Sequence, residues 1–144
     1  MKRVGNIYNK LYDFSNIMSS YNEVMRTTRN KNSIVKFNLY KCIYINKIYN
    51  DIVNKTYIPR TLKKVTIYEP KKRIIVVQNI YDKIIKHLVS RQILIPYLTK
   101  NLIDGNVASR KGYGTDYGRK LYFKYRDICD KKYKRYYILK LDIT

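Results

Sequence analysis

Residues 62–77, which read LKKVTIYEPKKRIIVV, indicate the fold class. The pattern of residues 62–68 predicts a strand, residues 69–72 (Glu-Pro-Lys-Lys) are typical of a turn, and residues 73–77 predict a second strand. Together they predict a β-hairpin with a basic turn. Because helical patterns lie on both sides of it, the chain is expected to have an α+β fold.

Residues 6–55, before the hairpin, are predicted to be helical. In the second half, apolar side chains recur at spacings of three and four residues, with Ser33 as the expected N-cap. The apolar positions are Ile34, Phe37, Cys42, Ile45, Ile48, Tyr49 and Ile52. The stretch from Ile7 to Met25 has a weaker pattern and a predicted break at residues 13–15. Pro59 is expected to end the helical region.

Residues 80–95, after the hairpin, predict a helix whose apolar stripe is wide enough for burial on more than one side, and Pro96 is expected to end it. A loop over residues 97–114 follows, then Thr115 as the N-cap of a helix over residues 116–131. Residues 136–143 (YYILKLDI) predict a buried strand. This strand either pairs with the hairpin or has its partners beyond residue 144, and we expect the second.

The charge of the chain indicates a polyanionic partner. Its 144 residues, the usual size of one domain, include 31 Lys and Arg but 10 Asp and Glu, which gives a net charge of +21. Nucleic acid is the first candidate and an anionic membrane surface the second. AT-rich codons also favour Lys, Asn, Ile and Tyr, but such drift does not explain the scarcity of acidic residues.

Several kinds of site are excluded by the residues present. Cys42 and Cys129 stand far apart and His87 is the sole histidine, so neither a zinc site nor a Ser-His-Asp triad is predicted. Both cysteines are interpreted as reduced, small core residues of a cytoplasmic protein, and His87 as a packing or hydrogen-bonding residue. No signal peptide and no apolar run of about 20 residues is found, so no membrane partner is expected.

Two basic clusters are candidate binding sites. The hairpin turn carries Lys71, Lys72 and Arg73, which could reach phosphate oxygens from one side, although a solvated turn is an equally good interpretation. The second cluster lies in residues 106–115 (NVASRKGYGT), where glycines permit close approach and Arg, Lys and Tyr offer charge and stacking. An ordinary loop before a capped helix is the alternative there.

Taken in order, four motifs resemble the N-terminal part of prokaryotic retroelement reverse transcriptases. The resemblance runs from about Tyr57 to Thr144, and its form is closer to diversity-generating or retron-like enzymes than to group II intron maturases. The motifs are EPKKR at 69–73, YDKIIKH at 81–87, SRKGYGT at 109–115 and LKLDI at 139–143. Each motif is weak alone, and the order and spacing carry the resemblance.

The sequence departs from the pattern of that family at three positions. Ser109 stands where many relatives have Cys, Tyr113 where many have a basic residue, and Lys83 where Arg is common. These departures put the subtype in doubt rather than the family.

The resemblance implies three regions and a set of roles. Residues 1–56 would be a helical extension, 57–135 the fingers of the polymerase, and 136–144 the first strand of its palm. The implied roles are triphosphate binding by Lys72 and Arg73, template or primer–template binding by Arg110, Lys111, Gly112 and Tyr113, and Mg²⁺ binding and catalysis by Asp142.

The implied partners are an RNA template, a DNA primer and an incoming dNTP, with two Mg²⁺ ions in a complete enzyme; an accessory subunit is left open. The second metal motif of the family, Tyr/Phe-x-Asp-Asp, does not occur in these 144 residues, so this chain alone is expected not to polymerise.

The alternative function is a non-catalytic basic RNA-binding module. A peripheral membrane protein is disfavoured because the helix at 116–131 mixes Tyr and charge too evenly.

Overall fold

A computed structural model describes residues 5–68, 70–108 and 110–141. These residues form two compact units, one reaching Leu98 and the other beginning at Thr99, and each is described by itself. Helices and one two-stranded antiparallel sheet make up the described part, which confirms the α+β class. The predicted boundary at residue 56 lies inside the first unit.

The first unit begins with helices, as predicted. A 3₁₀ turn, Ile7–Leu11, is followed by α1 (Phe14–Thr27), α2 (Lys31–Leu39) and α3 (Lys41–Val53). The predicted break at residues 13–15 is confirmed, because the Asp13 side chain caps α1 by accepting from the Ser15 amide at 2.9 Å.

Two details of the helical prediction were wrong. Ser33 is not an N-cap: Asn30 caps α2, and its side-chain oxygen accepts from the Ser33 backbone amide at 3.1 Å. The side chains of Asn30 and Ser33 can both cap a helix. Asn30 is the cap because its side-chain oxygen binds the amide three residues later. The second half is also not one helix, because the backbone turns at Tyr40 (φ −118°, ψ 26°) between α2 and α3.

The predicted hairpin is confirmed. Its strands are β1 (Lys63–Tyr68) and β2 (Lys72–Val77), paired antiparallel from Lys63 opposite Val77 to Tyr68 opposite Lys72. The segment between the end of α3 and β1 contains Pro59, so the helical region ends several residues before that proline.

The helix after the hairpin is interrupted before its proline. It comprises α4 (Ile80–Val89), a wide π turn (Ser90–Leu94) and a short helix α5 (Ile95–Leu98). Pro96 therefore does not end the helical path, contrary to the prediction. Proline lacks an N–H group, and its ring clashes with the carbonyl four residues earlier in a regular α-helix. The wide turn, in which the Ile95 amide donates to the Ser90 carbonyl, makes room for the ring.

The core of the first unit is built from α1, α2, α3 and α4. Helix α4 supplies the largest share, which fits its predicted burial on more than one side. The buried apolar residues are Leu11, Ile17, Tyr21, Val24, Phe37, Ile45, Ile48, Ile52, Ile80, Tyr81, Ile84, Ile85 and Leu88. The prediction that both cysteines are core residues was wrong, because Cys42 is exposed and Cys129 is half-buried.

A buried carboxylate joins α4 to the segment that leads into the hairpin. Asp82 is only 4% exposed. Its Oδ1 accepts from the Tyr57 hydroxyl at 2.9 Å and its Oδ2 accepts from the Arg60 backbone amide at 3.2 Å. Both carboxylate oxygens thus accept a hydrogen bond, as buried polar groups require. The approach to β1 is thereby fixed against the helical core.

A second carboxylate supports the same segment. Oδ2 of Asp51, on α3, accepts from the Tyr81 hydroxyl at 2.6 Å, and its Oδ1 accepts from the Thr56 hydroxyl at 3.4 Å. The Arg60 guanidinium lies over the Tyr81 ring, 4.1 Å from its centroid. We call Asp51, Tyr57, Arg60, Tyr81 and Asp82 the polar anchor.

The second unit consists of a loop packed on one helix, α6 (Thr115–Lys132), close to the predicted residues 116–131. Thr115 is the first helical residue rather than the N-cap, because Gly114 occupies the cap position. The loop approaches the helix at Gly118, where a Cβ would lie 3.2 Å from a methyl group of Val107. A larger residue at 118 would displace the loop.

Residues 136–141 do not form the predicted buried strand. They carry no strand hydrogen bonding, and Ile138, Leu139 and Leu141 are 61%, 80% and 81% exposed. The sheet of the described residues contains only β1 and β2. A strand needs neighbouring backbone groups to satisfy its own, and the described part of the chain offers this segment none.

The polar anchor makes a prediction about stability. Tyr57→Phe removes the hydroxyl that donates to the buried Asp82, so it should lower the free energy of unfolding by about 1–2 kcal/mol in urea denaturation. Tyr137→Phe is the matched control, because Tyr137 is 96% exposed and should give no change. Equal effects of the two substitutions would contradict the anchor.

The pH dependence of the same pair tests the chemistry of the contact. Burial, together with the hydrogen bond to Asp82, raises the pKa of Tyr57 from its ordinary 10.0 to about 12. The folded state then favours the protonated phenol, so its stabilisation is full below pH 10 and is lost as the pH rises towards 12. Tyr57→Phe should therefore lose less stability than the native chain over that alkaline window.

Candidate nucleic-acid interface

The hairpin places the predicted triphosphate ligands on opposite faces. Lys72 pairs with Tyr68, and Arg73 pairs with Ile67. Consecutive strand residues point to opposite sides of a sheet, so the side chains of Lys72 and Arg73 diverge. The expectation that the turn cations act from one side is wrong for these two residues. Their binding of a triphosphate stays a prediction.

The hairpin is open to solvent on both faces. One face carries Lys63, Val65, Ile67, Arg73, Ile75 and Val77; the other carries Lys64, Thr66, Tyr68, Lys72, Ile74 and Val76. Of these residues only Ile67 is as much as half-buried. Within residues 5–68, 70–108 and 110–141, none of the hairpin cations forms an ion pair. Their charge is therefore available to a phosphate group.

The second basic cluster, residues 106–115, which we call the glycine loop, uses one of its two predicted cations internally. Nη1 of Arg110 donates to the backbone carbonyls of Ile103 and Asn106, at 3.2 Å each. The Arg110 guanidinium also lies 3.9 Å from the centroid of the Tyr113 ring. Arg110 therefore holds the loop together, whereas Lys111 is exposed.

Gly112 and Tyr113 shape the same loop. Gly112 has φ +81°, in the left-handed region where glycine avoids the strain of a Cβ. The Tyr113 ring packs edge-on against Tyr117 at 4.6 Å between centroids, which joins the loop to α6. Arg110, Gly112 and Tyr113 therefore define the loop shape from which Lys111 projects.

The predicted metal ligand cannot be placed. Asp142 lies outside the described residues, as do Glu69 and Ser109 of the other motifs. Among the residues that are described, no three His, Cys, Asp or Glu side chains come together in a way that could hold a metal ion. The predicted Mg²⁺ site depends on Asp142 and stays a prediction.

His87 packs on the helical core. It is half-buried on α4, and burial, followed by the positive charge of Arg91, lowers its pKa below the ordinary value. Its Nδ1 atom is buried and has no hydrogen-bond partner within the described chain. Burial and the charge of Arg91 therefore both disfavour the protonated imidazole.

Sequence reasoning missed Arg60 and the basic groove beside it. Arg60, Lys36 and Lys83 come from three separate segments and line one groove at the base of the hairpin with Lys63. No local motif marks them, because only the folded segment between α3 and β1 brings them together. The tyrosine–aspartate pairs of the polar anchor were the available signal, but their partners are 25 and 30 residues apart in sequence.

No helix in the described ranges is both long enough and apolar enough to span a membrane. Comparison of the chain with protein-family models, with curated proteins and with solved structures gives no match.

The two cations of the glycine loop are expected to respond differently to substitution. Arg110→Ala removes both carbonyl contacts and the stacking on Tyr113, so hydrogen exchange at the amides of residues 103–113 should accelerate by about tenfold or more. Lys111→Ala removes an exposed side chain of the same charge and should leave those rates unchanged. Faster exchange in both variants, or in neither, would contradict the internal role of Arg110.

Proposed function

We propose that this chain is the N-terminal part of an RNA-directed DNA polymerase, whose fingers bind the template–primer and the incoming dNTP. The observation that carries the proposal is the order of the four motifs, the first of which lies on an exposed basic hairpin at residues 63–77. A hairpin open on both faces, with cations at its turn, suits a segment that closes over a phosphate-bearing ligand.

The opposite directions of Lys72 and Arg73 define how a triphosphate would be held. The two residues directly follow the turn, and their long side chains extend from the two faces of its tip. A triphosphate lying over the turn would then be contacted by an ammonium from one side and by a planar guanidinium from the other. Arg73 would supply the bidentate contact and Lys72 a point charge.

The glycine loop would bind the strand backbone through Lys111. Arg110 acts there as a positioning residue, because Nη1 of its guanidinium donates to the Ile103 and Asn106 carbonyls. The open backbone at Gly112, where a Cβ would meet nothing within 4 Å, lets a sugar–phosphate chain approach closely. Tyr113, half-buried beside Arg110, stabilises that arrangement.

The chemical step of the proposed enzyme depends on residues outside the described ranges. Asp142 would be the first carboxylate for Mg²⁺, and the bound ions would neutralise charge that develops on the transferred phosphoryl group. In this proposal the described residues bind and orient phosphates.

A second candidate function is a non-catalytic module that binds RNA. The exposed and unpaired cations of the hairpin favour it equally, since backbone binding needs charge but no catalytic group. The two functions differ in whether the hairpin turn recognises a dNTP in addition to a strand.

Binding of an RNA–DNA primer–template across a salt series tests the proposal. The logarithm of the association constant should fall linearly with the logarithm of salt concentration, and Lys111→Ala should reduce the slope by about one. Lys72→Ala/Arg73→Ala should abolish the extra affinity gained when the next complementary dNTP is added. The control, Lys47→Ala/Lys134→Ala, removes two exposed charges elsewhere and should retain that gain.

Three outcomes separate the candidate functions. A dNTP-dependent gain that is lost only in the hairpin variant supports the polymerase. Salt-dependent binding without any effect of dNTP supports the RNA-binding module. Equal effects of the hairpin and control variants on strand affinity would contradict both functions and attribute binding to net charge alone.

A further inference from the structure

A groove of about 350 Å³ lies at the base of the hairpin, within the first unit. Its walls come from both ends of α2, from α3 at Tyr44, from the first turn of α4, from the segment at Arg60 and Thr61, and from the start of β1 and the end of β2. That volume is at the lower end of the range for ligand pockets, which suits a ligand of about one nucleotide.

The groove is lined by cations and by no carboxylate. Its four basic side chains come from four places in the chain: Lys36, Arg60, Lys63 and Lys83. None of them forms an ion pair with any residue in the described ranges. The nearest buried acid, Asp82, is already occupied by Tyr57 and the Arg60 amide. Cations that line one groove repel one another, and an anion between them relieves that repulsion.

Arg60 is held in place before any ligand arrives. Its backbone amide donates to Asp82 at 3.2 Å, and its guanidinium rests 4.1 Å from the centroid of the Tyr81 ring. An arginine fixed at both ends loses little conformational freedom on binding, so more of the interaction energy is available as affinity.

Two helix ends add to the positive potential of the groove. Asn30 and Asn79 line it, and they are the N-caps of α2 and α4. The partial positive charge at a helix N-terminus favours a phosphate nearby. The side-chain oxygens of these two caps already accept from the Ser33 and Tyr81 amides, so their NH₂ groups are the donors left for a ligand.

One wall of the groove is aromatic. Phe37 and Tyr44 both line it, with ring centroids 5.0 Å apart; Phe37 is only 5% exposed, so the half-buried Tyr44 offers the accessible ring. Inorganic phosphate gains nothing from such a wall, whereas a nucleobase gains a stacking contact. The combination of cations and rings therefore selects for a ligand that has both a phosphate and a base.

We infer that this groove is a nucleotide-binding site, separate from the hairpin turn and the glycine loop, that takes the phosphate of one nucleotide on its cations and the base on its aromatic wall. The nucleotide is either free or the terminal nucleotide of a strand. The inference does not depend on the polymerase assignment, because none of the groove residues lies in the hairpin turn or in the glycine loop.

Calorimetric titration of the full chain with AMP, adenosine and inorganic phosphate tests the inference. AMP should bind at least about tenfold more tightly than either adenosine or phosphate, since only AMP engages both parts of the groove. Lys36→Ala/Lys83→Ala should weaken AMP binding by about tenfold or more, while Lys47→Ala/Lys134→Ala should not. None of these four lysines is buried, so circular dichroism should show an unchanged fold.

Comparing AMP with an oligoadenylate distinguishes a free nucleotide from the terminal nucleotide of a strand. An oligoadenylate with a 5′-phosphate that binds more tightly than AMP, with the same dependence on Lys36 and Lys83, identifies a strand end. An oligonucleotide that binds no better than AMP identifies a free nucleotide. AMP that binds no more tightly than adenosine, or equal losses in the groove and control variants, would overturn the inference while leaving the primer–template test intact.

Discussion

The buried carboxylate of Asp82 fixes the basic surface of the first unit. In a chain of net charge +21, this acid is used inside the fold rather than on its surface. It accepts from Tyr57 and from the Arg60 amide, and both donors belong to the segment that enters the hairpin. A buried carboxylate that loses a partner is costly, so the segment is held in one position.

Anchoring this segment has consequences at both ends of the hairpin. At its base, Arg60 is placed beside Lys63 on the wall of the groove. At its tip, the register puts Arg73 on the same face as Lys63, about 13 Å away along the strand, and Lys72 on the opposite face. The face that begins at the groove therefore has cations at both ends and apolar side chains between them. Such a face suits a phosphate-bearing chain that also presents bases.

The sequence predicted the elements whose signal is local. Alternation and turn residues located the hairpin, and helical spacing located α4 and α6 within a few residues. Errors occurred where a local signal had two solutions. Asn30 and Ser33 both fit a cap, and Pro96 fits both the end of a helix and a position after a wide turn. Residues 136–141 have the composition of a strand, but a strand forms only where backbone partners are present.

The candidate binding residues also fall into two groups: those that a local motif marks and those that only the folded chain brings together. The hairpin turn and the glycine loop could be found because their residues are consecutive. The direction of each side chain could not, so Arg110 was expected to bind a ligand although it binds its own loop. The groove was not predictable at all, because Lys36, Arg60 and Lys83 meet only through long-range packing around the polar anchor.

Photo-crosslinking tests most directly whether the anchored hairpin is a nucleic-acid surface. An RNA–DNA duplex carrying 4-thiouridine would be irradiated with the native chain and with Asp82→Asn, and the crosslinked peptides identified by mass spectrometry. We expect crosslinks in residues 62–77 and 106–114 of the native chain, with only the first set lost in Asp82→Asn. Hairpin crosslinks that are absent from the native chain, or unchanged in Asp82→Asn, would contradict a nucleic-acid surface anchored by Asp82.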